Sequence, residues 1–119
     1  MMKEIYAIIR PGKDRETKEV LAKLGMMAYT TFRVLGRGEQ GGLRYQNDGA
    51  PSAKSIPGMK FLSKKLLYLF VDEGLVDIAV EAIIRTNQSG EYGDGKIFVC
   101  EIDNAVRIRT AEENVTALW

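Results

Sequence analysis

Two segments with a helical hydrophobic period each lie between short β-branched or apolar runs, so the chain repeats a strand-helix-strand pattern twice. Ile5–Ile9 is an apolar run that stops at Arg10-Pro11, where proline would interrupt a ladder, and it predicts a buried strand. Asp14 is placed to cap a helix carrying Val20, Leu21 and Leu24 on one face, with Gly25 ending it in a left-handed conformation. Tyr29–Leu35 is rich in aromatic and β-branched residues and reads as a second strand, closed by Gly36-Arg37-Gly38. Lys65–Val71 is almost continuously apolar, the pattern of a central strand. Leu75–Thr86 sets Leu75, Ala79, Ala82 and Ile83 on one helical face, with Gly90 as a stop. Ile97–Cys100 gives a fourth strand. Val106–Thr110 alternates apolar and basic residues, compatible with an extension of the sheet, and a short tail over about 111–119 has helical character.

Between the two halves, from about 38 to 62, the hydrophobic period vanishes into Gly41, Gly42, Asn47, Asp48, Gly49, Pro51 and their neighbours. Structureless loops beyond ~12–15 residues are unusual in a compact domain and tend to be functional or binding segments. The predicted order is therefore βαββαβ, an α+β ferredoxin-like double unit with a long functional loop between its second and third strands. Helices cover one face of such a sheet. The other is left bare and apolar, to be covered by a broad ligand or by further copies of the chain.

A length of 119 residues fits one domain, 1–119, and 45% hydrophobic with 28% charged residues suits a single packed core. Seventeen basic against sixteen acidic residues give a net charge of +1, so no global field draws the chain to nucleic acid or to an anionic membrane. With no histidine and one cysteine, Cys100, there is neither an internal disulfide nor a zinc cage, and Cys100 itself reads as an inert core residue. No apolar run approaches the ~20 residues of a membrane span and no leader is evident, so a cytoplasmic protein is expected.

Gly90–Lys96 matches the Gly, four residues, Gly-Lys spacing of a phosphate loop, but the match is misleading. A P-loop runs from strand to helix and continues with Ser or Thr; this segment runs from helix to strand and continues with Ile97. Two readings remain: a Gly-rich connector, or an anion nest built from backbone amides near Gly93 and Gly95 with Lys96 alongside. Arg107 and Arg109, two apart, project from one face if the segment is extended; they either clamp a phosphate or pair with Asp103, Glu112 or Glu113. No carboxylate pair forms an acid/base motif, and neither Ser nor Cys has a histidine partner, which argues against an enzyme.

Lys3-Glu4-Ile5 with Ala7–Pro11, Val34–Gly38, Gly93–Val99 and Arg107–Thr110, in this order, resemble the PII signal proteins over nearly the whole chain. The resemblance implies a homotrimer or mixed trimer with ATP or ADP in clefts between subunits. Thr30, Gly36 and Arg37 would lie near the nucleotide, Gly93, Asp94, Gly95 and Lys96 would cradle its phosphates, and Arg107 and Arg109 would clamp them from the neighbouring subunit. Gln40 and Lys64 match the family's 2-oxoglutarate positions, with Mg2+ bridging that ligand and the triphosphate near Gln40. Residues Arg44, Tyr45, Lys54 and Lys60 would belong to the partner-binding loop. The sequence departs from the family in a longer loop, in the lack of a clear counterpart to its uridylylated tyrosine, in Glu39 where a basic residue is common, and in Ala111 where a glycine follows the threonine. Tyr29-Thr30-Thr31, Lys54–Lys60 and Asn87-Gln88 resemble the PII-like subgroup encoded beside nitrogenase, which implies dinitrogenase as a target and a second PII-like chain as a companion. The alternatives are a regulator of an ammonium transporter, acting through Arg44, and a weak nucleotide-hydrolysing enzyme.

Overall fold

A computed structural model describes residues 1–37 and 61–118. Strand β1 (Met2–Ile9) leads through a 3-10 turn (Pro11–Lys13) into helix α1 (Asp14–Lys23), and strand β2 (Thr30–Gly36) follows. Strand β3 (Leu62–Asp72), a 3-10 turn (Glu73–Leu75), helix α2 (Val76–Asn87) and strand β4 (Lys96–Ile102) make the second half. The four strands lie in the order β2-β3-β1-β4, and all three neighbouring pairs are antiparallel. This is the α+β ferredoxin-like arrangement that the doubled pattern predicts.

The strand period of two divides the sheet cleanly. Ile5, Ala7 and Ile9 of β1 and Leu67, Leu69 and Val71 of β3 are buried on the helix-covered face, packed with Leu21 of α1 and with Ala79 and Ile83 of α2. A polar bridge joins the two helices inside this layer. The Thr17 hydroxyl donates to the Lys13 carbonyl at 2.7 Å, and the Asn87 amide donates to Thr17 at 3.0 Å and to the Ile83 carbonyl at 2.9 Å. On the opposite face the rings of Phe32, Tyr68, Tyr6 and Phe70 run across three strands at centroid separations of 5.6–5.7 Å. Phe32 and Phe98 there remain 47% and 48% exposed, so the second face is bare and aromatic within one chain.

Four expectations change. Strands β1, β3 and β4 extend beyond their apolar runs, because ladder hydrogen bonds are made by backbone and continue through Lys3, Glu4, Ser63 and Lys64. Asp14 does not cap α1: Lys13 occupies that position without a side-chain bond, and the Asp14 carboxylate pairs with Lys18 at 3.0 Å. Cys100 is exposed, since its register opposite Glu4 puts it on the bare face. Val106–Thr110 adds no strand among the described residues. A single bridge joins Val106 to Glu113, residues 108–110 form a turn, and Asn114–Ala117 is a short 3-10 helix.

Candidate functional site

The site lies where the C-terminal end of β1, the start of β4 and the middle of the chain's Gly-rich connector meet. Helix α2 ends at Asn87, and Gly90, Gly93 and Gly95 adopt φ of +89°, +95° and +113° on the way to β4. Only glycine reaches such angles without strain. Gly95 is also confined sterically, since an added Cβ would overlap the Ile8 carbonyl oxygen and stand 2.9 Å from its carbon. The connector therefore presses backbone to backbone against β1.

Asp94 organises this loop. Its carboxylate accepts from the Ser89 and Gly90 amides at 2.7 and 2.9 Å and from the Ser89 hydroxyl, and Arg10 donates to it at 2.7 Å. Arg10 also donates to the Tyr92 carbonyl at 2.9 Å, tying the end of β1 to the loop twice. The hydrogen bonds from the Ser89 side chain and backbone, and then those from Gly90 and Arg10, hold the Asp94 carboxyl below the usual carboxylate range. Asp94 is thus ionised and committed to shaping the loop.

Lys64 reaches the same loop from β3. It is 8% exposed, and its ammonium donates to the Gly93 carbonyl at 2.6 Å. Burial first, and then the neighbouring Arg10 guanidinium, lower its pKa from the ordinary lysine value, with Asp94 opposing. A Cβ on Gly93 would lie 3.3 Å from an Arg10 nitrogen and 3.6 Å from the Lys64 ammonium, which puts two cations beside one glycine. Both are partnered within the loop, Arg10 by the Asp94 carboxylate and Lys64 by the Gly93 carbonyl. Gly36, at the end of β2, lies close to the Lys64 stem, with a virtual Cβ only 3.4 Å from Lys64 Cγ.

Gly36, Lys64 and Gly93–Lys96 are therefore brought together. Arg37 is exposed just past β2, and Thr30 opens that strand opposite Tyr68. Arg107 is held within its own turn: its guanidinium pairs with Glu112 and donates to the Thr116 carbonyl at 3.0 Å, the acidic pairing that the sequence left open. Arg109 is exposed. Gln40, Arg44, Tyr45, Lys54 and Lys60 lie outside the described residues, as does Glu39. Arg10 and Ser89 were not singled out as site residues by their pattern. Arg10 meets the connector only through the pairing of β1 with β4, so no local signal in the sequence points to it.

The chain is thus an α+β domain of the ferredoxin-like class whose glycine-rich turn is braced by an aspartate and flanked by cations. Comparison with known proteins makes this specific. The family model described as "Nitrogen regulatory protein P-II" matches residues 2–112. A "Nitrogen fixation nifHD region glnB-like protein 2" of Methanococcus maripaludis is 45% identical, with 98% of this chain and 100% of that protein covered. "Nitrogen regulatory protein P-II 1" of Escherichia coli is 40% identical over the same shares of each chain. The crystal structure of Arabidopsis thaliana PII bound to citrate superposes with a TM-score of 0.76 at 28% identity, covering 98% of this chain and 91% of that one.

The chain belongs to the PII family of nitrogen regulatory proteins, and it groups with the nif-region GlnB-like members. It is a signal protein, not an enzyme. No helix among the described residues is long and apolar enough to cross a membrane.

Proposed function

We propose that this protein is an adenylate and 2-oxoglutarate sensor that works as a homotrimer or mixed trimer and controls nitrogenase through the segment 38–62. The observation that carries the reading is the cradle of Gly93–Lys96 with Lys64 and Arg10 beside it. Backbone turned by left-handed glycines and flanked by cations suits phosphate oxygens. The aromatic bare face, with Phe32 and Phe98 half exposed, supports burial against further copies of the chain.

In this reading ATP or ADP places its phosphates against Gly93, Gly95 and Lys96, with Arg107 and Arg109 arriving from a neighbouring subunit. Thr30, Gly36 and Arg37 flank the nucleotide. Lys64 exchanges the Gly93 carbonyl for a carboxylate of 2-oxoglutarate. Among the described residues no three His, Cys, Asp or Glu side chains gather into a metal site, so Mg2+ would be held by ligand oxygens and by Gln40. The nif-region naming of relatives supports dinitrogenase as the target.

Calorimetric titration with 2-oxoglutarate, in the presence of MgATP, MgADP or neither, tests the reading. Heat only with MgATP is expected. Silence in all three would remove 2-oxoglutarate sensing.

A further inference from the structure

We propose that one face of the β2–β3 ribbon, built on Arg33, Leu35 and Lys65, is a docking surface for an extended acidic segment of another protein, anchored by a bulky apolar side chain. This surface lies outside the segment 38–62 and does not depend on the ligand reading above. It arises because two strands outrun the rest of the sheet. Strand β1 ends at Ile9, opposite Lys65, whereas β2 and β3 stay paired through Val34 with Lys64, Leu35 with Ser63 and Gly36 with Leu62. The strand period of two puts Arg33, Leu35, Ser63 and Lys65 on the same side as Ile9 and Leu67. The helix layer buries that side at Ile9 and Leu67 and leaves it open on the ribbon, where Arg33 is exposed and Leu35 is 71% exposed.

Arg33 and Lys65 are direct partners in the ladder, so two cations stand opposite each other on this face. Like charges in that relation destabilise a sheet. Little within the chain offsets them. Lys65 meets Asp14 only at 4.0 Å, and that carboxylate is held more closely by Lys18 at 3.0 Å. Arg33 pairs with no carboxylate among the described residues. Three cations therefore share one carboxylate, next to an exposed leucine.

Charge and shape together specify the occupant. Unmatched positive charge calls for carboxylates, which steer the encounter and select the partner, and Leu35 supplies the apolar contact that slows departure. Arg33 and Leu35 stand two residues apart, about 7 Å along the strand, and alternate side chains of an extended peptide repeat at the same spacing. The surface is too narrow for other polyanions. Neighbouring strands lie about 4.8 Å apart, so a two-stranded ribbon offers a single short row of cations. A net charge of +1 adds no broad positive field for a membrane or for nucleic acid.

The test selects binders to the full chain from a displayed library of random short peptides at low ionic strength. Enriched sequences should carry several carboxylates around a bulky apolar residue. Synthesised and measured by fluorescence anisotropy, such a peptide should bind Arg33→Glu and Leu35→Asp about tenfold more weakly or worse, bind Arg33→Lys nearly as well as the parent, and lose affinity as salt is raised. Both residues are exposed, and if either charge change stops folding, Arg33→Gln and Leu35→Ala carry the same comparison. Enriched peptides without an acidic bias, or acidic peptides that bind the variants as tightly as the parent, overturn the proposal. Binding of phosphatidylserine vesicles that Arg33→Glu abolishes, with no acidic peptide enriched, would assign the face to a membrane instead. A change of oligomeric mass on Arg33→Glu would assign it to a second copy of the chain, and either result overturns the proposal too.

Discussion

Replacing Gly95 by alanine is the sharpest single perturbation of the site, and its cost can be worked from geometry. The residue sits at φ +113°, a region that side chains other than glycine's enter only at about 1–3 kcal/mol. The new methyl would also overlap the Ile8 carbonyl, a backbone atom that no rotamer change can move aside. To relieve the overlap β4 must separate from β1 at its first register pairs, Ile8 with Lys96 and Ala7 with Ile97. Each ladder bond lost there contributes a further ~0.5–1.5 kcal/mol. The expected destabilisation is about 2–5 kcal/mol, read by urea denaturation at one fixed protein concentration. Gly12→Ala is the control: Gly12 has no positive φ and an added Cβ meets nothing within 4 Å. That variant should be neutral or stabilised by up to about 1 kcal/mol through the unfolded chain. A Gly95→Ala protein as stable as Gly12→Ala would refute the reasoning, because it would mean that the connector is not pressed against β1.

Three further outcomes follow from other parts of the molecule. The lowered pKa of Lys64 means that folding disfavours its charged form, a penalty present below the folded pKa and relieved as pH rises towards that of the unfolded chain. An anion at the ammonium needs the proton, so at the proposed Lys64 site affinity for 2-oxoglutarate should decline at a lower pH than an ordinary lysine would give; calorimetry across pH checks this, and a flat profile up to pH 10.5 contradicts it. Thr17→Val keeps the shape but strips the Asn87 amide of a buried acceptor, at a cost of roughly 1–3 kcal/mol, and Asn87→Leu should destabilise the Thr17→Val background less than the parent. Ala111→Gly should relieve the left-handed strain and raise stability by about 1 kcal/mol; a loss of stability would show that the turn is not strained.

The interior was legible and the junctions were not. Ile5–Ile9 and Lys65–Val71 declare themselves as strands because both are apolar and both lie in the middle of the sheet, where side-chain pattern and backbone pairing agree. At Lys3, Glu4 and Ser63 pattern and pairing part, because ladder bonds are indifferent to side chains. Asp14 has the chemistry of a cap, yet Pro11 starts a 3-10 turn three residues earlier and shifts Asp14 into the helix itself. The alternation of Val106–Thr110 carries the period of a strand, but the left-handed residue at Ala111 reverses the chain before a partner strand is met. In the site the glycines were visible as glycines, since their angles admit little else. Arg10 was hidden, because its role depends on the adjacency of β1 and β4, which no local pattern encodes.

That adjacency explains how a small ligand could be read at a distance. The Gly93 carbonyl is held by Lys64 of β3, and the stem of Lys64 lies against Gly36, after which the chain enters the segment proposed to meet the partner. Arg10 anchors the other side of the same loop to β1 through Asp94 and Tyr92. In the sensor proposed above, a carboxylate that drew Lys64 away from Gly93 would free one loop carbonyl and shift the contact at the root of that segment, while Arg10 would keep the loop in place. Coupling of this kind would need two arrangements of one lysine and no rearrangement of the core, and if the proposed 2-oxoglutarate site holds, reciprocity requires a partner that fixes the segment in one arrangement to alter 2-oxoglutarate affinity by the same factor.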